Sequence, residues 1–138
     1  MGTTISKREP IYIIDFIDNN HFLKSVFPSG LDNVFIGQFG LDQTHFSLSI
    51  HVYDKPDVEV KKWGVWGCTY NIIVIHMLGV DVNHIKIQGW NKFVPAPLVC
   101  WRHGGEIFIS CNAEGQLFEI SCSGLIFQKS STYSLEKE

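Results

Sequence analysis

Four cysteines, Cys68, Cys100, Cys111 and Cys122, and six histidines have the widest scope for chemistry in this chain. Thiolates and imidazoles bind zinc where three or four converge, and a thiol beside an imidazole can act as a nucleophile. The local spacings serve neither purpose. There is no C-x-x-C and no H-E-x-x-H, and the nearest mixed pair is Cys100 with His103. His45 and His51 share one face of a strand-like run but stand about 20 Å apart at the usual rise per residue, so one ion cannot take both. The expectation is no metal and no cofactor, with the cysteines as small, reduced core hydrophobes in a reducing cytosol. A Cys–His pair that meets only in space stays open, with Cys100 or Cys68 as the nucleophile of a small enzyme.

Paired carboxylates are the next possibility. Asp54, Asp57 and Glu59 crowd one short stretch and could share acid–base work, although a charged loop tip is usually a solvated one. His103-Gly104-Gly105 resembles an oxyanion loop, but no G-x-S-x-G supplies the nucleophile, so it reads as a turn. A Walker loop and a G-x-G-x-x-G fingerprint are absent as well. No catalytic residue is assigned, and the chain is expected not to be an enzyme.

Composition narrows the partners. The 138 residues fit a single core, and a hydrophobic share of 45% with 18% charged residues is globular. The net charge of −3, from 14 acids against 11 bases, gives no bulk attraction for nucleic acid. Ile72 to Val80 is the longest apolar run, half of what a spanning helix needs, so no membrane segment is expected. Asp15 interrupts the apolar stretch after Lys7-Arg8, which argues against a secretory signal. Met1-Gly2-Thr3-Thr4-Ile5-Ser6 fits the short N-myristoylation pattern and is read as a chance match. The sequence leaves the oligomeric state open.

Periodicity then sets the elements. Phe46, Leu48, Ile50 and Val52 alternate with Ser47, Ser49 and His51, the mark of a half-buried strand. Lys55-Pro56-Asp57 breaks the run, and Val58 and Val60 resume alternation, which predicts a hairpin. Val34 to Leu41 reads as a strand whose Gly37 and Gly40 mark a bulge or a close approach to rings. Residues 70–78 are apolar on both faces and belong in the middle of a sheet. Asp18 or Asn19 is expected to cap a short helix with Phe22, Leu23, Val26 and Phe27 on its face. In the last hairpin, a turn over Asn112-Ala113-Glu114-Gly115 would set Cys111 opposite Gln116 and keep Cys111 and Cys122 too far apart for a disulfide. The predicted fold is mainly β (α+β), with about eight mostly antiparallel strands in two layers or one strongly curved sheet, and one short N-terminal helix. Residues 1–129 would form one domain, and the polar residues 130–138 would fray.

The segments "FLKSVFPSG", "LDNVFIGQFGLD", "FSLSIHVYDKP", "VKKWGVWGCTYNIIVIHMLGV", "HIKIQGW" and "IFISCNAEGQLFEISC" follow one another along the chain. Their order resembles bacterial polymorphic-toxin immunity proteins, in particular immunity protein family 50, a likeness that runs over roughly residues 15 to 128. Its most specific part is Lys62-Trp63, then Tyr70-Asn71 leading an apolar strand, then Gly89-Trp90, whereas Gly64 to Cys68 reads as an insertion. The resemblance implies a small, non-catalytic cytoplasmic protein that binds and neutralises a cognate toxin domain. Within that reading Asp54, Asp57, Glu59 and Trp66 are the expected partner-binding residues, as acidic and aromatic groups on loops. Trp63 is expected in the core and Trp66, between two glycines, at the surface. The alternative is a β-domain binding a sugar or apolar molecule, with Trp63, Trp66 and Trp90 lining one pocket.

Overall fold

A computed structural model of the chain describes residues 13–92 and 94–135, so the Met1–Ser6 pattern lies outside the described residues. The protein is mainly β. Nine strands are present among the described residues: β1 (Ile17–Asp18), β2 (Val34–Asp42), β3 (His45–Val52), β4 (Ile72–Val80), β5 (His84–Gln88), β6 (Val99–His103), β7 (Glu106–Ala113), β8 (Gln116–Cys122) and β9 (Gly124–Tyr133). They make a five-stranded sheet, β1-β9-β4-β3-β2, and a four-stranded sheet, β5-β8-β7-β6. All pairs are antiparallel except the short parallel pairing of β1 with β9.

One core lies between the sheets. Phe46, Leu48, Ile50 and Val52 of β3 enter it, as do Ile73, Ile75 and Met77 of β4 and Ile107, Ile109, Phe118 and Ile120 of β7 and β8. Period-two alternation delivers these side chains because successive residues of a strand face opposite sides. Phe39 spans the layers, tilted on Phe46 at 5.5 Å and edge-on to Phe118 at 5.5 Å. A two-way backbone bridge between Val34 and Ala96 ties the start of β2 to the segment before β6.

As its two apolar faces imply, β4 sits between β3 and β9. The bulge falls where the glycines predicted it, between Ile36 and Gln38. A side chain at Gly37 would run into the His51 ring, so only glycine lets that imidazole lie over the strand.

Four expectations need correction. Val58 and Val60 do not resume a strand; residues 53–60 are a loop, tied by Tyr53 N–H to Asn33 O at 2.9 Å and Asp57 N–H to Val26 O at 2.8 Å. The helix, α1 (His21–Val26), starts after Asn20, whose side chain forms no cap and donates to Ile14 O at 2.8 Å. The last hairpin turns over two residues in place of four, with Ala113 opposite Gln116 and Cys111 opposite Phe118. A two-residue slide preserves which side chains face inward, so apolar patterning allowed both registers. Gln116 settles it by burying its amide, which accepts from Val94 N–H at 2.6 Å and donates to Val94 O at 3.3 Å.

The fourth correction concerns the tail. Ser130 to Tyr133 do not fray but pair with Ile75 to Ile72 of β4, extending the sheet beyond the predicted boundary at residue 129. The Asn71 amide fastens the chain just past β9, donating to Leu135 O at 2.9 Å and accepting from Leu135 N–H at 2.8 Å. All four cysteines are free thiols, three buried and Cys68 exposed.

Trp63, on a single 3-10 turn (Lys61–Trp63), is 5% exposed. Its ring meets Phe22 edge-on at 5.6 Å and Tyr70 at 5.8 Å. Trp63→Ala should therefore cost about 3–5 kcal/mol of stability, the range for truncating a buried aromatic. Urea denaturation measures it, and an unchanged midpoint would place Trp63 outside the core.

Candidate functional site

Because Val52 of β3 pairs with Ile73 of β4, the loop that leaves β3 and the loop that enters β4 emerge side by side. Between them lies a cleft of about 280 Å³ lined by Lys55, Asp57, Glu59, Val65, Trp66 and Tyr70, among others. The second loop is built from local hydrogen bonds. Thr69 N–H reaches Val65 O at 2.8 Å, Val65 N–H donates to Thr69 Oγ1 at 3.2 Å, and Gly67 N–H reaches Tyr70 O at 2.7 Å. Gly64 and Gly67 take φ of 95° and 86°, which glycine adopts without strain.

Tyr70 is buried and Trp66 half-buried, and their rings meet edge to face at 5.5 Å. They form an aromatic wall of the cleft. Asp57 and Glu59 are exposed and have no ion-pair partner among the described residues. Burial raises the Tyr70 phenol above its ordinary pKa, and the negative charge of Glu59 raises it further. Tyr70 thus stays a neutral hydroxyl near pH 7. An aromatic wall in a cleft lined by two carboxylates against the single ammonium of Lys55 suits a cationic side chain, held by ring quadrupole and net negative charge together.

Three of the four predicted partner-binding residues meet here: Asp57, Glu59 and Trp66. Asp54 does not line the cleft. Its carboxylate accepts from the backbone N–H groups of Asp32 at 2.9 Å and Asn33 at 3.1 Å, and from the Asn33 amide at 3.3 Å. Asp54 is a clamp on the chain entering β2. Trp66, expected at the surface, is only partly exposed because it leans on Tyr70. The three tryptophans of the alternative pocket do not assemble, since Trp63 is in the core and Trp90, 44% exposed, follows β5 in the other sheet.

A polar network on the outer face of the five-stranded sheet escaped sequence reasoning. Ser49 Oγ and His76 Nδ1 lie 2.9 Å apart on directly paired residues, and His51 Nδ1 and the Tyr133 hydroxyl lie 2.7 Å apart. The polar alternation of β3 was a signal that the face was not apolar, but strand pairing alone brings His76 to Ser49. A serine beside an imidazole has the outline of a nucleophile and base. However, Ser49 is only 6% exposed, which leaves its hydroxyl little access to a substrate carbonyl. The pair is a structural link.

The three buried thiols offer little reactivity in this state. Burial pushes Cys122 up to about 11 and raises Cys111 and Cys100 too, so none of the three is a thiolate near neutrality. Cys100 is buried on β6 while His103, three residues on, is exposed. Among the described residues no three His, Cys, Asp or Glu side chains could hold a metal ion, and no helix is long and apolar enough to cross a membrane. Comparison with family models, curated proteins and solved structures returns no match.

Asp54→Ala should lose about 1–3 kcal/mol, the worth of hydrogen bonds to a charged acceptor, while Asp57→Ala stays within about 0.5 kcal/mol of the parent. Thermal melts of the two variants separate a clamp from a solvated carboxylate.

The outer face also makes stability depend on pH. Burial lowers the pKa of His51 and of His76; each is depressed further by a neighbouring charge, His76 acting on His51 and Lys129 on His76. The unfolded chain therefore takes up protons first as pH falls below the ordinary value of 6.5. The contribution of neutral histidines is complete above that value and is lost on acidification towards the folded pKa values. Melting temperature should drop between pH 7 and pH 5, and His51→Gln with His76→Gln should flatten the drop.

Proposed function

We propose that this protein is a non-catalytic immunity protein of the cytoplasm, which neutralises a cognate toxin domain by taking a basic segment of it into the cleft between the β3–β4 loops. The observation that carries the reading is the pairing of two carboxylates, Asp57 and Glu59, with the Trp66–Tyr70 wall on loops hung from the two central strands. Loops on a rigid sheet are where binding residues concentrate, and aromatics in partly desolvated pockets dominate interface energy. The resemblance of the segment order to immunity protein family 50 supplies the class of partner. An inhibitor needs a complementary surface and no reacting group. Opposite charge at the cleft would speed encounter with a basic toxin more than it deepens final affinity.

The test begins with the gene beside this one. Its product should be captured one-to-one from the native host, and co-expression of this chain should abolish its killing. Asp57→Lys with Glu59→Lys should slow association and restore toxicity at an unchanged melting temperature, whereas Asp54→Lys should lower the melting temperature as well. If the Asp57 and Glu59 reversals leave capture and protection intact, the cleft is not the interface. If no neighbouring toxin is bound at all, the immunity reading falls.

A further inference from the structure

The aromatic wall of the cleft continues into a longer row. Trp66 meets Tyr70 edge to face, Tyr70 meets Trp63, Trp63 meets Phe22, and Phe22 stacks on Phe127 at 6.3 Å with 21° between the planes. At the Phe127 end is a second cleft of about 280 Å³, lined by Phe22, Lys62, Phe127, Gln128, Lys129 and Ser130. Its charge is opposite to that of the first.

Three elements build it. Phe22 comes from α1, Lys62 from the 3-10 turn beside Trp63, and the remaining residues from β9. β1 covers the far edge of β9 only at Leu125 and Ile126, so from Phe127 onwards that edge has no strand beside it among the described residues. Here β9 bulges. Phe127 pairs with Met77 and Lys129 with His76, leaving Gln128 as the extra residue. Phe127 thus takes the core side with Met77, and Lys129 the outer side with His76, so one short segment supplies both an apolar floor and a charged rim. Bulges re-aim side chains in this way beside functional sites.

Lys62 and Lys129 are exposed, and among the described residues neither has a carboxylate within ion-pair distance; the ion pair there is His84 with Glu119 at 3.1 Å. In a chain with more acids than bases, two ammoniums at the rim of this cleft, Lys62 beside the Phe22–Phe127 floor and Lys129 across the open edge of β9, make a local selector for negative charge. A flat ring can lie against Phe22 and Phe127 while its anionic group meets the lysines.

We propose that this cleft is a binding site for an aromatic anion, a carboxylate or phosphate carried on a planar ring, separate from the acidic cleft. Such a group could be a free small molecule or the C-terminus of a peptide ending in an aromatic residue. Phenyl phosphate represents the first source and N-acetylphenylalanine the second, and the tighter binder identifies which applies.

Titration of the ¹⁵N-labelled full chain should give saturable amide shifts at Phe22, Lys62 and Phe127 to Ser130 with at least one of the two probes. Lys62→Gln with Lys129→Gln should weaken binding by about tenfold or more, as expected for lost charge-assisted hydrogen bonds. The single Lys62→Gln variant, with its exposed site, serves if the double variant melts early. Asp57→Lys with Glu59→Lys should leave probe binding unchanged, so this site stands or falls apart from the toxin interface. No saturable shift with either probe, shifts centred elsewhere, equal binding of benzylamine, or affinity indifferent to the lysine changes would each overturn the proposal.

Discussion

Burying β4 on both of its faces is the constraint on which the rest of this structure depends. Ile73, Ile75 and Met77 fill the core, while Ile72 and Val74 are covered on the opposite side of the same strand. A strand of this kind is stable only with a neighbour on each edge and cover on each face. β3 meets one edge and β9 the other, and the chain returns from its C-terminal end to complete the sheet. Pairing of Val52 with Ile73 then leaves the two flanking loops adjacent, and the Asp57–Glu59–Trp66 cleft is a by-product of that register. Pairing of β4 with β9 likewise places Phe127 and Lys129 where α1 and the Trp63 turn can meet them.

How much of this was legible depended on whether side chains or backbone decided the outcome. The alternation of Phe46, Leu48, Ile50 and Val52, the two apolar faces of β4 and the glycine at the β2 bulge are statements made by side chains, and each is found in the fold. Ser130 to Tyr133 carry almost no apolar pattern, because their strand is held by ladder bonds to β4 and by the Asn71 amide, which composition does not register. Val58 and Val60 mislead for the opposite reason. Their spacing mimics a strand, but Pro56 is buried and the backbone is committed to Val26 and Asn33.

The candidate site shows the same division. Asp57, Glu59 and Trp66 come together because they lie on two loops that one strand pair brings side by side. Asp54, three residues before Asp57 and of the same type, is withdrawn by two backbone N–H groups from a segment more than twenty positions earlier. Residue type and local spacing were identical warrants for both carboxylates; only the long-range partner separates them. The basic cleft was invisible for a related reason, since Lys62 and Lys129 are far apart in sequence and line one cleft only in the folded chain.

Net charge therefore says little about what this surface can attract. The value of −3 is a sum over the whole chain, whereas charges at the surface act over a screening length of about 8–10 Å at physiological ionic strength. A partner meets Asp57 and Glu59 at the cleft beside Trp66 and Tyr70, or Lys62 and Lys129 at the cleft beside Phe22 and Phe127. The rings between them, Tyr70, Trp63 and Phe22, are in edge-to-face contact and can move little without disturbing their neighbours. Trp63, buried between Phe22 and Tyr70, is then what holds two oppositely charged clefts at a constant separation. Its conspicuous place beside Lys62 reflects that framing role.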